Sequence, residues 1–142
     1  MREIEFRAWL KKDKKMVEVK SIHFGTKKIM YGYSESSHCY GNVTCKFDDC
    51  ELMQYTGLTD KNGTKIFEGD IVKDYYGRIM KVVFMECLAK YQLILVEATG
   101  ESWTNNFIRA DLTDWFAGVC LDALPEIIGN IYDNPELLGG AK

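Results

Sequence analysis

The chain has 142 residues, 46% hydrophobic and 13% aromatic with only two prolines, which supplies a packed core and excludes wholesale disorder. That is the length of one domain, read here as a single domain: N-terminal strands and a variable loop over 1–50, a barrel-forming core over 51–138 and a loose tail over 139–142. A net charge of −3 excludes a global field that gathers nucleic acid, and no apolar run reaches the roughly 18 residues of a membrane span.

Alternation with period two dominates the N-terminal third. Ile4, Phe6 and Ala8 alternate with Glu3, Glu5 and Arg7, the pattern of a strand with one buried face. Lys11, Lys12, Lys14 and Lys15 surround Asp13 and suit an exposed hairpin turn. Alternation resumes over 16–24 with Val17, Val19 and then either Ser21 or Ile22, and 28–33 reads as a further short strand. Residues 34–42, rich in Ser, Gly and polar side chains, read as an exposed loop, and Val43–Phe47 as another short strand.

From 52 onward the turn residues punctuate clearly. Leu52–Leu58 is extended, and Asp60-Lys-Asn-Gly63 is a strong turn because Asn and Gly tolerate positive φ. Glu68-Gly-Asp70 turns the chain into a strand expected over Ile71–Tyr76, and Gly77 turns it again into Arg78–Met85. Tyr91–Ala98 is nearly all apolar, as in a strand buried on both faces. Gly100 precedes Trp103–Ile108, and Asp111–Gly118 is the best helical candidate, with Asp111 as its cap. Pro125 opens a final strand expected over Glu126–Tyr132, and Asn134-Pro135 starts a single C-terminal helical turn. Many short strands with brief loops make a mainly β fold, a small partly open barrel with extra strands and one or two short helices.

Three separated segments carry a family resemblance. Phe6-Arg-Ala-Trp9 with Lys14-Lys-Met16 forms the first. Met53–Leu58, Asp60–Gly63 and Phe67–Val72 form the second, and Ile127–Leu138 the third. Their order and spacing resemble the YopX-like proteins of phages and prophages in Gram-positive bacteria. The resemblance implies an SH3-like β-barrel and a home in a mobile element. It carries over neither an established activity nor a catalytic residue.

Candidate chemistry is sparse. His38, Cys39, Cys45 and Cys50 are the nearest approach to a metal set, but their gaps lack the tight CxxC pairs zinc favours, so the expectation is no metal and incidental thiols. Five irregularly spaced cysteines fit the reduced thiols of a cytoplasmic protein, and the N-terminus lacks the apolar segment of a secretory signal. Asp48, Asp49 and Glu51, loosely joined by Asp60, read as a solvated acidic loop rather than a carboxylate site. Gly69-Asp70 reads as turn chemistry, the carboxylate accepting local N–H groups. No cofactor site and no catalytic residue are expected, and the protein reads as a non-enzyme.

Two surface features remain. Residues 1–33 carry nine Lys or Arg against four Asp or Glu, whereas 100–142 carry two against seven. The basic excess concentrates in Lys11, Lys12, Lys14 and Lys15 beside Trp9, a patch that nucleic acid could use but that solubility and edge protection also explain. Aromatics exceed what a small barrel must bury. Trp9, Tyr75, Tyr76 and Trp103 join those lysines as candidate contact residues, because Tyr and Trp are favoured at interfaces. The expectation is a protein-binding module of the host cytoplasm that self-associates through strand edges and surplus aromatics, with a host or phage protein as partner and no membrane contact. Nucleic-acid binding through the lysine hairpin is the alternative.

Overall fold

The computed structural model describes residues 1–33, 41–96, 109–111 and 124–138, and over them the chain is mainly β. Its strands are β1 (Phe6–Leu10), β2 (Lys15–His23), β3 (Lys28–Tyr33), β4 (Gly41–Lys46), β5 (Cys50–Thr59), β6 (Lys65–Phe67), β7 (Asp70–Lys73), β8 (Ile79–Met85), β9 (Lys90–Leu95), β10 (Arg109–Asp111) and β11 (Glu126–Asn130). Short 3₁₀ turns lie at Phe47–Asp49, Glu86–Leu88 and Pro135–Leu138, the last as expected from Pro135. The strands form open antiparallel sheets; among the described residues no barrel closes. Contacts divide the chain into two compact units, Met1–Tyr55 and Thr56–Lys142.

In the first unit the strand order is β4-β3-β2-β1-β5. The β1–β2 hairpin pairs Leu10 with Lys15, so the lysine segment forms its loop. Alternation delivers Ala8 and Leu10 to a core with Ile29, Tyr31 and Cys50, against which Val17, Val19 and Ile22 pack. The ambiguity between Ser21 and Ile22 has a structural cause. The β2–β3 register shifts between Val19↔Tyr31 and Ser21↔Met30, so Lys20 is a bulge residue and the inward set skips from Val19 to Ile22. Ile4 departs from expectation. The β1–β5 ladder starts at Phe6↔Gln54, and Ile4, ahead of that rung, is exposed.

In the second unit β6 lies beside β5, and a five-stranded sheet runs β10-β9-β8-β7-β11. Its core is Ile66, Val72, Met80, Val82 and Leu93, with Leu58, Tyr91, Leu95 and Ile127 packed against it. Each fully buried aliphatic side chain contributes about 1.5–3 kcal/mol, which makes these residues the chief stabilising term of the unit. Two turns explain the glycine-rich central block. Asp60 is buried, with Gly63 at φ 81° in its turn. Asp70, also buried, accepts the Phe67 N–H at 2.8 Å across Gly69, the turn chemistry read from the sequence.

Several boundaries differ from the sequence reading. β7 stops at Lys73 rather than Tyr76, because Asp74 closes a turn onto Arg78. β11 stops at Asn130 rather than Tyr132, because the Asn130 side-chain carbonyl accepts the N–H groups of Tyr132 and Asp133 at 3.0 and 2.9 Å. Asp111, expected to cap a helix, is a strand residue paired with Gln92. The rest of that helix, the Trp103–Ile108 stretch, most of the 34–42 loop and the tail 139–142 lie outside the described residues.

Candidate interaction surface

The second unit builds one well-defined aromatic projection, the β7–β8 hairpin tip. The sequence Asp74-Tyr-Tyr-Gly-Arg78 folds there because Asp74 can satisfy its own loop. Its N–H donates to the Arg78 carbonyl at 3.0 Å, and its carbonyl accepts the Gly77 N–H at 3.0 Å. Its carboxylate accepts the Arg78 N–H at 2.8 Å through Oδ1, and Oδ2 lies 2.6 Å from Arg78 Nε. The Asp74 side chain is only 1% exposed, so the ion pair is partly desolvated and both lone-pair directions used here are satisfied. Gly77 takes φ 79°, a conformation that favours glycine, and nothing lies within 4 Å of a Cβ built there. Its conformation, not crowding, requires glycine.

With Asp74 turned inward, its neighbours face out. Tyr75 and Tyr76 are 70% and 75% exposed, edge-to-face with ring centroids 5.6 Å apart at 83°. Arg78 Cζ sits 5.3 Å from the Tyr76 ring centroid, a cation–π contact that steadies the ring. The tip therefore presents two amphipathic rings and a guanidinium on a loop already ordered before any partner arrives. Sequence reasoning identified Tyr75 and Tyr76 but placed them in a strand and missed Asp74 and Arg78. The available signal was an Asp four residues before an Arg with Gly between them, a side chain able to cap its own turn.

The lysine candidates gather in the β1–β2 loop of the first unit. Lys14 takes φ 49°, and its N–H donates to the Leu10 carbonyl at 2.8 Å. Lys12, Lys14 and Lys15 are exposed, as is Asp13 among them. Lys11 is engaged: its Nζ lies 3.2 Å from Glu51 Oε1 and donates to the Asp48 carbonyl at 2.9 Å, while its backbone N–H donates to Asp49 O at 3.1 Å. The acidic residues Asp48, Asp49 and Glu51 thus form the exposed segment expected of them, and they flank this end of the hairpin. Asp60 differs, being buried and fully used by backbone donors. Trp9 is half-buried in β1, in register between Met16 and Glu51 and on the face opposite Ala8 and Leu10. Trp103 lies outside the described residues.

The remaining aromatics divide between core and surface. Tyr31 and Tyr55 are each 7% exposed, so part of the aromatic surplus is core after all. No described helix is long and apolar enough to cross a membrane.

A family model described as YopX protein matches residues 5–139. Two solved structures share the fold over nearly the whole chain. Protein EF1440 from Enterococcus faecalis is 24% identical with a TM-score of 0.59, covering 97% of this chain and 99% of that one. Protein yopX from Bacillus subtilis is 16% identical with a TM-score of 0.54, covering 96% and 98%. Among curated proteins none matches.

Proposed function

The chain belongs to the YopX protein family, and from that premise we propose that it is a non-enzymatic protein-binding module that self-associates through the Tyr75–Tyr76 hairpin tip. One observation carries this reading: two adjacent tyrosines stand 70% and 75% exposed on a loop pinned by a buried Asp74. Tyrosine offers large contact area at low conformational cost, and a loop ordered in advance leaves little entropy to be lost on docking. We further read the second unit's antiparallel sheet as the wall of a partly open SH3-like barrel, and the protein as phage- or prophage-encoded and acting in the host cytoplasm.

Sedimentation velocity over a dilution series tests the reading. The native chain is expected to sediment as an oligomer at micromolar concentration, and the Tyr75→Ser/Tyr76→Ser variant as a monomer of unchanged circular dichroism. A native chain that stays monomeric well above micromolar overturns self-association. A double variant that associates as the native chain does removes the tip from the contact.

Lys12, Lys14 and Lys15 keep nucleic-acid binding as the alternative. Pairing of Lys11 with Glu51 and the flanking carboxylates lessen the charge that phosphates would meet. Low-salt binding abolished by alanine at Lys11, Lys12, Lys14 and Lys15 would favour that alternative.

A further inference from the structure

The first unit holds a pair of thiols that the reading above does not use. β4 ends at Lys46, the Phe47–Asp49 3₁₀ turn follows, and β5 starts at Cys50. This turn folds Cys45 and Cys50 onto one acceptor: each Sγ donates to the Lys46 carbonyl oxygen at 3.4 Å, and Cys50 Sγ also approaches Phe47 O at 3.8 Å. Both belong to the core of their unit, Cys50 at 4% exposure and Cys45 only partly covered.

We propose that Cys45 and Cys50 form a dithiol site that closes into an intramolecular disulfide by exchange with a low-molecular-weight disulfide. A disulfide places its sulfurs about 2.0 Å apart, and two thiols that already share one acceptor, each 3.4 Å from the Lys46 carbonyl oxygen, lie within side-chain rotation of that arrangement. Accessibility sets the order of events. The Cys45 thiolate, the more exposed, attacks one sulfur of the small disulfide; a mixed disulfide forms and one small thiolate leaves. The Cys50 thiolate then attacks the Cys45 sulfur, forming the internal bond and expelling the second small thiolate. Two protein thiols are oxidised, one small disulfide is reduced, and the two protons released end on the two small thiols. The closed bond ties the end of β4 to the start of β5 across the 3₁₀ turn.

The surroundings disfavour the thiolate form at both cysteines. Burial raises both thiols above their ordinary range. Asp49 and Asp13 act in the same direction on Cys45, and Glu51 on Cys50, with Lys11 opposing at Cys50. Tyr31 belongs to the core cluster against which Cys45 packs. Exchange is therefore expected to quicken on the alkaline side, where thiolate accumulates.

The test is native chain incubated with oxidised glutathione at mildly alkaline pH until exposed Cys87 is fully modified, then alkylated and digested with trypsin without reduction. Cleavage after Lys46 separates the two cysteines, so closure appears as a peptide pair whose fragmentation places the bond between Cys45 and Cys50. Cys50→Ser should instead trap glutathione on Cys45. Free Cys45 and Cys50 in native chain whose Cys87 is modified would overturn the proposal. So would a stable glutathione adduct on Cys45 with Cys50 free, or a bond from either cysteine to Cys39.

Discussion

Single side chains carry the turns of this protein, and Asp60 shows how. Its Oδ1 accepts the N–H groups of Asn62 and Thr64 at 2.9 and 2.8 Å, and Oδ2 accepts that of Ile127 at 3.1 Å. Asp60→Ala leaves buried donors without acceptors and is expected to cost about 3 kcal/mol in urea unfolding. Asp60→Asn keeps one oxygen for the paired amides and turns an amide group toward Ile127, so its loss should be about half as large. Equal losses for the two variants would show that the three bonds are not what Asp60 supplies. Gly129 is a second case, on space rather than charge. A Cβ there would sit 2.5 Å from Asn134 Oδ1 and 3.0 Å from Asn134 Cβ, and Oδ1 accepts the Asn130 N–H at 3.3 Å. Gly129→Ala should therefore cost about 1–3 kcal/mol, read as a lowered unfolding midpoint. The turn role of Gly69-Asp70 was legible because the Asp70 carboxylate reaches back only three residues, to the Phe67 N–H. Burial of Asp60 was not legible, since its third donor lies in β11, and adjacency to Asp48, Asp49 and Glu51 pointed to solvent instead.

Hairpins are the elements in which reading from sequence worked best and also where it slipped. The β1–β2 loop followed from its charges, and β1 and β2 from alternation. The β7–β8 turn was misplaced because Tyr75 and Tyr76 are strong strand formers, and β propensity extended the strand past Asp74. Self-capping by Asp74 overrode it. β10 went unseen because Arg109-Ala-Asp111 has no alternation to read, and only its pairing with β9 makes it a strand. The tip also separates structure from contact. Asp74→Ala removes the acceptor of Arg78 N–H and Nε and should destabilise by about 2 kcal/mol. Tyr75→Ser/Tyr76→Ser removes only exposed rings and should shift stability by no more than about 0.5 kcal/mol while changing association. A double variant as unstable as Asp74→Ala would mean the rings serve the fold rather than a partner.

At the scale of the molecule, the segments that carry the family resemblance are the ones whose backbones meet. Phe6-Arg-Ala pairs with Leu52–Gln54 in the first unit. In the second, Asp60 takes the Ile127 N–H, and the Ile131 N–H donates to the Gly69 carbonyl at 2.9 Å. The residues that carry the resemblance therefore specify architecture, which is why they located the fold without locating a function. Stability of the whole should also fall at both ends of the pH scale, for different reasons. Glu126 is held below its ordinary carboxylate range by Lys61, whose Nζ lies 2.9 Å away. A depressed carboxylate contributes stability above its unfolded pKa and loses it as pH falls through the folded value. This pair is solvent-exposed, so the acid-side effect is small and should fade in high salt. Cys50 acts in the opposite sense and from the interior. Its unfolded thiol ionises near 9, whereas burial holds the folded thiol protonated to about 11. Between those values the unfolded chain releases a proton that the native chain retains, so ionisation favours unfolding and stability drops as pH rises from 9 toward 11. Chemical denaturation at stepped pH under reducing conditions should show that decline. Cys50→Ala, though less stable at neutral pH from the lost side chain, should show a shallower one. A slope unchanged by the substitution would remove Cys50 as its source and leave the alkaline loss to other groups.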